Sequence, residues 1–127
     1  MKTPVPLNAM IIEKEVELCF LLSRVLIQKN LNPLCAYSIA EAKKKMKRIN
    51  PSIVFLDNHL PDGFGLDFIS QVRKDFPFTK IIMMTAQNSS QDILTASRKG
   101  ADYFISKPFN TLTIKNTIDS LQLGKTG

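Results

Sequence analysis

Two cysteines, one histidine and five glycines in 127 residues set the first limits on this chain. Cys19 and Cys35 lie inside apolar segments without the spacing of a metal site, so they read as reduced core thiols. The glycines form no phosphate-cradling loop, which argues against a flavin or nucleotide site. The most apolar helical stretch, Leu18 to Ile27, is too short to span a bilayer, and Met1 to Pro6 lacks the apolar core and cleavage site of a signal peptide. There is no internal repeat, no low-complexity tract and no recognisable nucleic-acid motif. A cytoplasmic protein without a membrane partner is the expectation.

What is present is ordinary for a globular chain: 44% hydrophobic and 22% charged residues, enough length for one domain and too little charge for disorder. A single domain over 1–127 is expected, with a folded core at about 7–123 and tails at 1–6 and 124–127. Lys and Arg number 17 against 11 Asp and Glu, a formal charge of +6. The excess is concentrated in Lys43-Lys44-Lys45-Met46-Lys47-Arg48. Ile39, Ala42, Met46 and Ile49 recur there at helical spacing, so the cations read as the solvated face of an amphipathic helix more than as a nucleic-acid patch.

Strand and helix signals alternate along the chain. Ala9 to Ile12 is a short apolar run, followed by a helix marked by Leu18, Leu21, Leu22 and Val25 that closes near Asn30. A strand is expected around Leu34 to Tyr37. Ser38 with Glu41 forms a capping-box signature for the basic helix, which Asn50-Pro51 ends. Further strands are expected up to Asp57, over Ile81 to Met84 and over Asp102 to Ser106. Helices follow each, with Leu66, Ile69 and Val72, with Ser89 and Asp92 before Gly100, and with Asn110 capping Ile114, Ile118 and Leu121. Continuously apolar strands suit a parallel sheet covered on both faces, and five strand-helix units point to a doubly wound α/β fold.

Ile53-Val54-Phe55-Leu56 runs straight into Asp57 and then into the turn signal Pro61-Asp62-Gly63. In open parallel sheets ligands bind outside the carboxyl ends of the strands, so Asp57 stands where chemistry is done. An Asp that merely caps the next turn is the plain alternative. Glu13 follows the first strand, Thr85 ends the fourth and Lys107 follows the fifth, so two carboxylates, a hydroxyl and an ammonium could converge. That set suits phosphoryl chemistry: a carboxylate can carry an acyl phosphate while an ammonium and a hydroxyl hold its oxygens.

Asp57 with Leu60-Pro61-Asp62-Gly63-Phe64-Gly65-Leu66, then Met84-Thr85-Ala86, then Gly100-Ala101-Asp102-Tyr103-Phe104 leading into Lys107-Pro108-Phe109, resembles the receiver domains of two-component response regulators over nearly the whole chain. The resemblance implies a flavodoxin-like sheet of order 2-1-3-4-5. It implies that Asp57 accepts a phosphoryl group from a phosphohistidine of a histidine kinase or phosphotransfer protein, assisted by magnesium. Thr85 and Lys107 would bind phosphoryl oxygens, and the Lys107-Pro108 bond would be cis. Phe104 falls at the family's aromatic switch position, whereas Tyr103 reads as strand surface. The metal set would be Glu13, Asp57 and the backbone carbonyl of His59. Such a protein is a signalling phosphoacceptor that promotes only its own phosphorylation and dephosphorylation. Its output would pass through the face of the fourth helix, fifth strand and fifth helix to a downstream effector domain or protein; a homodimer is left open, and nucleic acid would be reached only through an effector domain absent from the chain.

One position departs from the family pattern, where two adjacent acids usually follow the first strand and Glu13-Lys14 stands here. A protonated Lys has no lone pair for a metal, so the magnesium site is expected to be weakened. Three readings of Lys14 follow. It points outward while Glu15 takes over; or its ammonium neutralises Glu13 and Asp57, an ion pair worth on the order of 4 kcal/mol at 4 Å near a surface before desolvation; or phosphorylation has been lost and the chain is a pseudo-receiver, a constitutive interaction module. His59, two residues beyond the acceptor, either touches the phosphoryl group or is an idle loop residue.

Overall fold

Alternate residues of a strand face opposite sides of the sheet, and here both sides are apolar. Ala9, Ile11, Ile53, Phe55, Ile82 and Met84 pack into one core, while Met10, Ile12, Val54, Leu56, Ile81 and Met83 pack into the other. In the computed structural model, which describes residues 6–86 and 89–121, the strands are β1 (Leu7–Ile12), β2 (Leu31–Ala36), β3 (Ile53–Asp57), β4 (Lys80–Thr85) and β5 (Tyr103–Ser106). All neighbours pair in parallel, in the order β2-β1-β3-β4-β5, as the continuous apolar runs imply.

The helices are α1 (Val16–Gln28), α2 (Ile39–Ile49), α3 (Gly65–Asp75), α4 (Ser90–Lys99) and α5 (Thr111–Leu121). Cys19, Leu22, Val25 and Leu26 of α1 join Ile114, Ile118 and Leu121 of α5 over the first core. Ala42 and Met46 of α2, Phe68, Ile69 and Val72 of α3 and Ala96 of α4 cover the second. The fold is therefore doubly wound, and strand order reverses between β1 and β3. Among the described residues, no helix is long and apolar enough to cross a membrane. Of the expected tails 1–6 and 124–127, all but Pro6 lie outside the described residues, as do 122 and 123 of the expected core.

The basic helix is built as its periodicity implies: Ala42 and Met46 are buried, while Lys43, Lys44, Lys47 and Arg48 are exposed. Ser38 Oγ accepts from the Glu41 amide at 3.1 Å, but the Glu41 carboxylate reaches the Tyr37 amide instead of closing the box on Ser38. Asn110 Oδ1 accepts from the Thr113 amide at 2.9 Å, and Gly100 ends α4 with φ of 119°.

β2 begins at Leu31, three residues before the strand expected from Leu34, and it stops at Ala36, before Tyr37. It contains Pro33, which cannot donate to a ladder, and it is tolerated because β2 is an edge strand. His59–Leu60 and Gly63–Phe64 also pair as a small antiparallel hairpin where only a turn is legible in the sequence.

Candidate functional site

The same alternation sets the site. Glu13, Asp57 and Lys107 continue the odd-numbered sequence of Ala9 and Ile11, of Ile53 and Phe55, and of Ile105, so all three belong to the α1/α5 side of the sheet. Thr85 continues the opposite set, with Ile81 and Met83. Phe104, half-buried, packs against that second core beside Met83 in the β4-β5 register, while Tyr103 is 40% exposed.

Backbone hydrogen bonds extend the ladders past the strand ends and fix the loops that carry these residues. The Glu13 amide donates to Ala36 O at 3.0 Å, the Asn58 amide to Met84 O at 3.3 Å, and the Lys107 amide to Thr85 O at 3.0 Å. Gly65 closes the loop after Asp57: its amide donates to Asn58 O at 2.7 Å, and a Cβ there would stand 2.1 Å from the Asp57 carbonyl oxygen. Asn58 Oδ1 accepts from the Leu66 amide at 2.9 Å, so the residue beside Asp57 also starts α3. Asp62 accepts from the Ile39 and Ala40 amides, both at 2.9 Å, pinning the hairpin to the start of α2. Those two backbone donors hold its carboxyl below the usual range. Sequence reasoning missed the parts played by Asn58 and Asp62, because their partners are set by the tertiary approach of α3 and α2.

Glu13 and Asp57 are 0% and 3% exposed, and one ammonium serves both. Lys107 Nζ lies 2.6 Å from Glu13 Oε1 and 3.0 Å from Asp57 Oδ1. Glu13 Oε2 accepts from the Glu15 amide at 3.1 Å. Burial lowers the Lys107 pKa, but the hydrogen bonds and charges of the two carboxylates outweigh it and raise the pKa above the ordinary value. The Lys107-Pro108 peptide is cis. Thr85 is buried at the end of β4.

Lys14 is solvent-exposed and makes no ion pair among the described residues. The ammonium that neutralises Glu13 and Asp57 is that of Lys107, which corrects the reading in which Lys14 does so. Glu15 is exposed too, and its contribution to Glu13 is a backbone amide, so its carboxylate has not slipped into the site. His59 stacks edge-on against Phe64, with ring centroids 5.6 Å apart.

The donor chemistry fits a hard divalent cation in part. Two buried carboxylates share one ammonium, leaving a formal excess of one negative charge, and magnesium accepts one or two carboxylates while keeping its waters. Among the described residues, no three or more His, Cys, Asp or Glu side chains cluster as a metal cage. Beside Lys107 an open cleft of about 310 Å³ is lined by Glu15, Leu18, Ala86, Pro108 and Phe109.

A family model for the response regulator receiver domain matches residues 9–119. The transcriptional regulatory protein TrcR of Mycobacterium tuberculosis is 30% identical over 105 residues, which make up 83% of this chain and 41% of that protein. The chemotaxis protein CheY of Listeria monocytogenes is 39% identical over 69 residues, 54% of this chain and 58% of CheY. A two-component response regulator from Clostridium difficile superposes with a TM-score of 0.86 at 27% identity, over 91% of this chain and 94% of that one. The beryllofluoride-activated NtrC4 receiver domain dimer superposes with a TM-score of 0.84 at 29% identity, over 89% and 93%. The chain thus spans less than half the length of TrcR.

Proposed function

Because the chain belongs to the response regulator receiver domain family, we propose that Asp57 is its phosphoacceptor, loaded from a phosphohistidine of a histidine kinase or phosphotransfer protein. The observation that carries this reading is the shared ammonium: Lys107 lies 3.0 Å from Asp57 Oδ1 and is positioned to follow charge onto a phosphoryl oxygen. The Asp57 carboxylate would attack phosphorus as the histidine nitrogen leaves, forming an acyl phosphate. Lys107 and Thr85 would bind the phosphoryl oxygens from the two sides of the sheet. The domain then acts on no separate substrate and promotes only its own phosphorylation and hydrolysis.

Magnesium, where bound, would be held by Glu13, Asp57 and the His59 carbonyl, and would offset the charge of the incoming phosphoryl group. Lys14 occupies the position of a second acid, so this site is weak and depends more on Lys107 than one built with two acids.

Thr85 and Phe104 both belong to the α2–α4 side of the sheet, which supports their coupling: a Thr85 hydroxyl drawn to the phosphoryl group vacates space that Phe104 can fill. The face of α4, β5 and α5 then changes its affinity for an effector domain or protein, a second copy included. On α1, which lends Leu18 to the cleft at Lys107, Val16 and Phe20 are 63% and 66% exposed and offer the phosphodonor an apolar landing. A single cytoplasmic domain fits these features.

Transfer from phosphoimidazole, a small phosphohistidine mimic, tests the reading. Borohydride trapping should convert residue 57 alone to homoserine, and an unmodified Asp57 peptide would contradict it. Lys14 favours a second reading, a phosphorylation-independent interaction module, which such a negative result would support.

A further inference from the structure

Cys19 and Cys35 are both free, and they meet where α1 packs on β2. Cys19 is 1% exposed, and its thiol donates to Glu13 O at 3.6 Å. Cys35 is half-buried, with its sulfur 3.6 Å from Ser23 Oγ. Cys19 and Ser23 are four apart on α1 and therefore stack on one helix face. The Cys35 sulfur faces that strip through its contact with Ser23, which makes the two thiols neighbours across α1 and β2. Neither group takes part in the phosphoryl chemistry described above.

We infer that Cys19 and Cys35 form a thiol modification site that takes a low-molecular-weight disulfide and closes to an intramolecular disulfide joining α1 to β2. Cys35 is the attacking group because it is the more open of the two. The Ser23 hydroxyl 3.6 Å from its sulfur and the Lys45 ammonium, which donates to the Cys35 carbonyl oxygen at 2.9 Å, both favour its thiolate. Cys19, at 1% exposure, is reached only from the Cys35 side and is the resolving group. The Cys35 thiolate attacks one sulfur of the small disulfide, whose S–S bond breaks and releases one thiol on taking up a proton. Cys19 then gives up its proton and attacks the Cys35 sulfur, releasing the second thiol. Two protein thiols are oxidised and one disulfide is reduced to two thiols. The Lys45 ammonium beside Cys35 favours an anionic peptide disulfide over a neutral one. Closure would also remove the Cys19 donor to Glu13 O.

Oxidised glutathione is the probe, with intact mass and peptide mapping as the readout. The wild-type chain should lose two hydrogens, retain no glutathionyl group and yield a cross-linked peptide pair holding Cys19 and Cys35, all reversed by a thiol reductant. Cys19→Ala should stop at a stable glutathionyl adduct on Cys35. A glutathionyl group retained on the wild type, a disulfide between two copies, or an unchanged mass would each overturn the inference, whether or not the variant folds.

Discussion

Lys107 Nζ lies 3.0 Å from Asp57 Oδ1 across 50 positions of sequence, and the same ammonium reaches Glu13 at 2.6 Å. Two buried carboxylates thus depend on one cation. Lys107→Met should leave them unpaired and destabilise the fold by ~3 kcal/mol, the usual scale for breaking a buried pair. Lys107→Arg should recover much of that loss. Urea unfolding midpoints at constant slope would measure both.

Gly65 is fixed by space. Its missing Cβ would stand 2.1 Å from the Asp57 carbonyl oxygen, so Gly65→Ala must displace the backbone that carries Asp57. The expected cost is about 1–3 kcal/mol, as for other overpacking changes, accompanied by slower phosphorylation at Asp57. Thermal unfolding and the phosphorylation rate, measured side by side, check the pair of effects.

Asp62 links the loop after Asp57 to α2 through the Ile39 and Ala40 amides, which depress its pKa. A carboxyl that is more acidic folded than unfolded adds stability above its unfolded pKa, and that contribution is lost as pH falls through the folded value. Asp62→Asn should therefore lower stability at neutral pH and flatten its fall in acid. Denaturant midpoints from pH 7 down through the carboxylate range would show both changes.

The sheet order was legible because each strand is continuously apolar and each connection contains a helix. The placement of the candidate residues was legible because Asp57, Thr85 and Lys107 stand at or just after strand ends, on the one edge where a parallel sheet gathers them. Lys14 was not, since the sequence puts an ammonium next to Glu13 without saying which way it points. The fold turns Lys14 to solvent and supplies Lys107 from the end of β5, three places away from β1 beyond β3 and β4. β2 was misplaced because Pro33 breaks the local strand signal, and only the edge position of β2 makes it acceptable. Asn58 and Asp62 act through amides 8 and 22 or more positions away, which no local pattern encodes.

Lys14 also sets a prediction for magnesium. Exchanging its positive charge for a negative one changes the local charge by two units beside Glu13. At several ångströms in a largely solvated setting, Lys14→Asp should tighten magnesium roughly tenfold. Calorimetric titration of the two proteins measures the ratio, and equal affinities would show that Lys14 has no bearing on the site.

The most direct measurement is intact mass after incubation with acetyl phosphate, with and without magnesium, beside an Asp57→Ala control. The expected result is one added phosphoryl group on the wild-type chain and none on the control. An unmodified wild type under both conditions, with a phosphohistidine donor failing as well, would contradict the phosphoacceptor reading and leave a constitutive interaction module in its place.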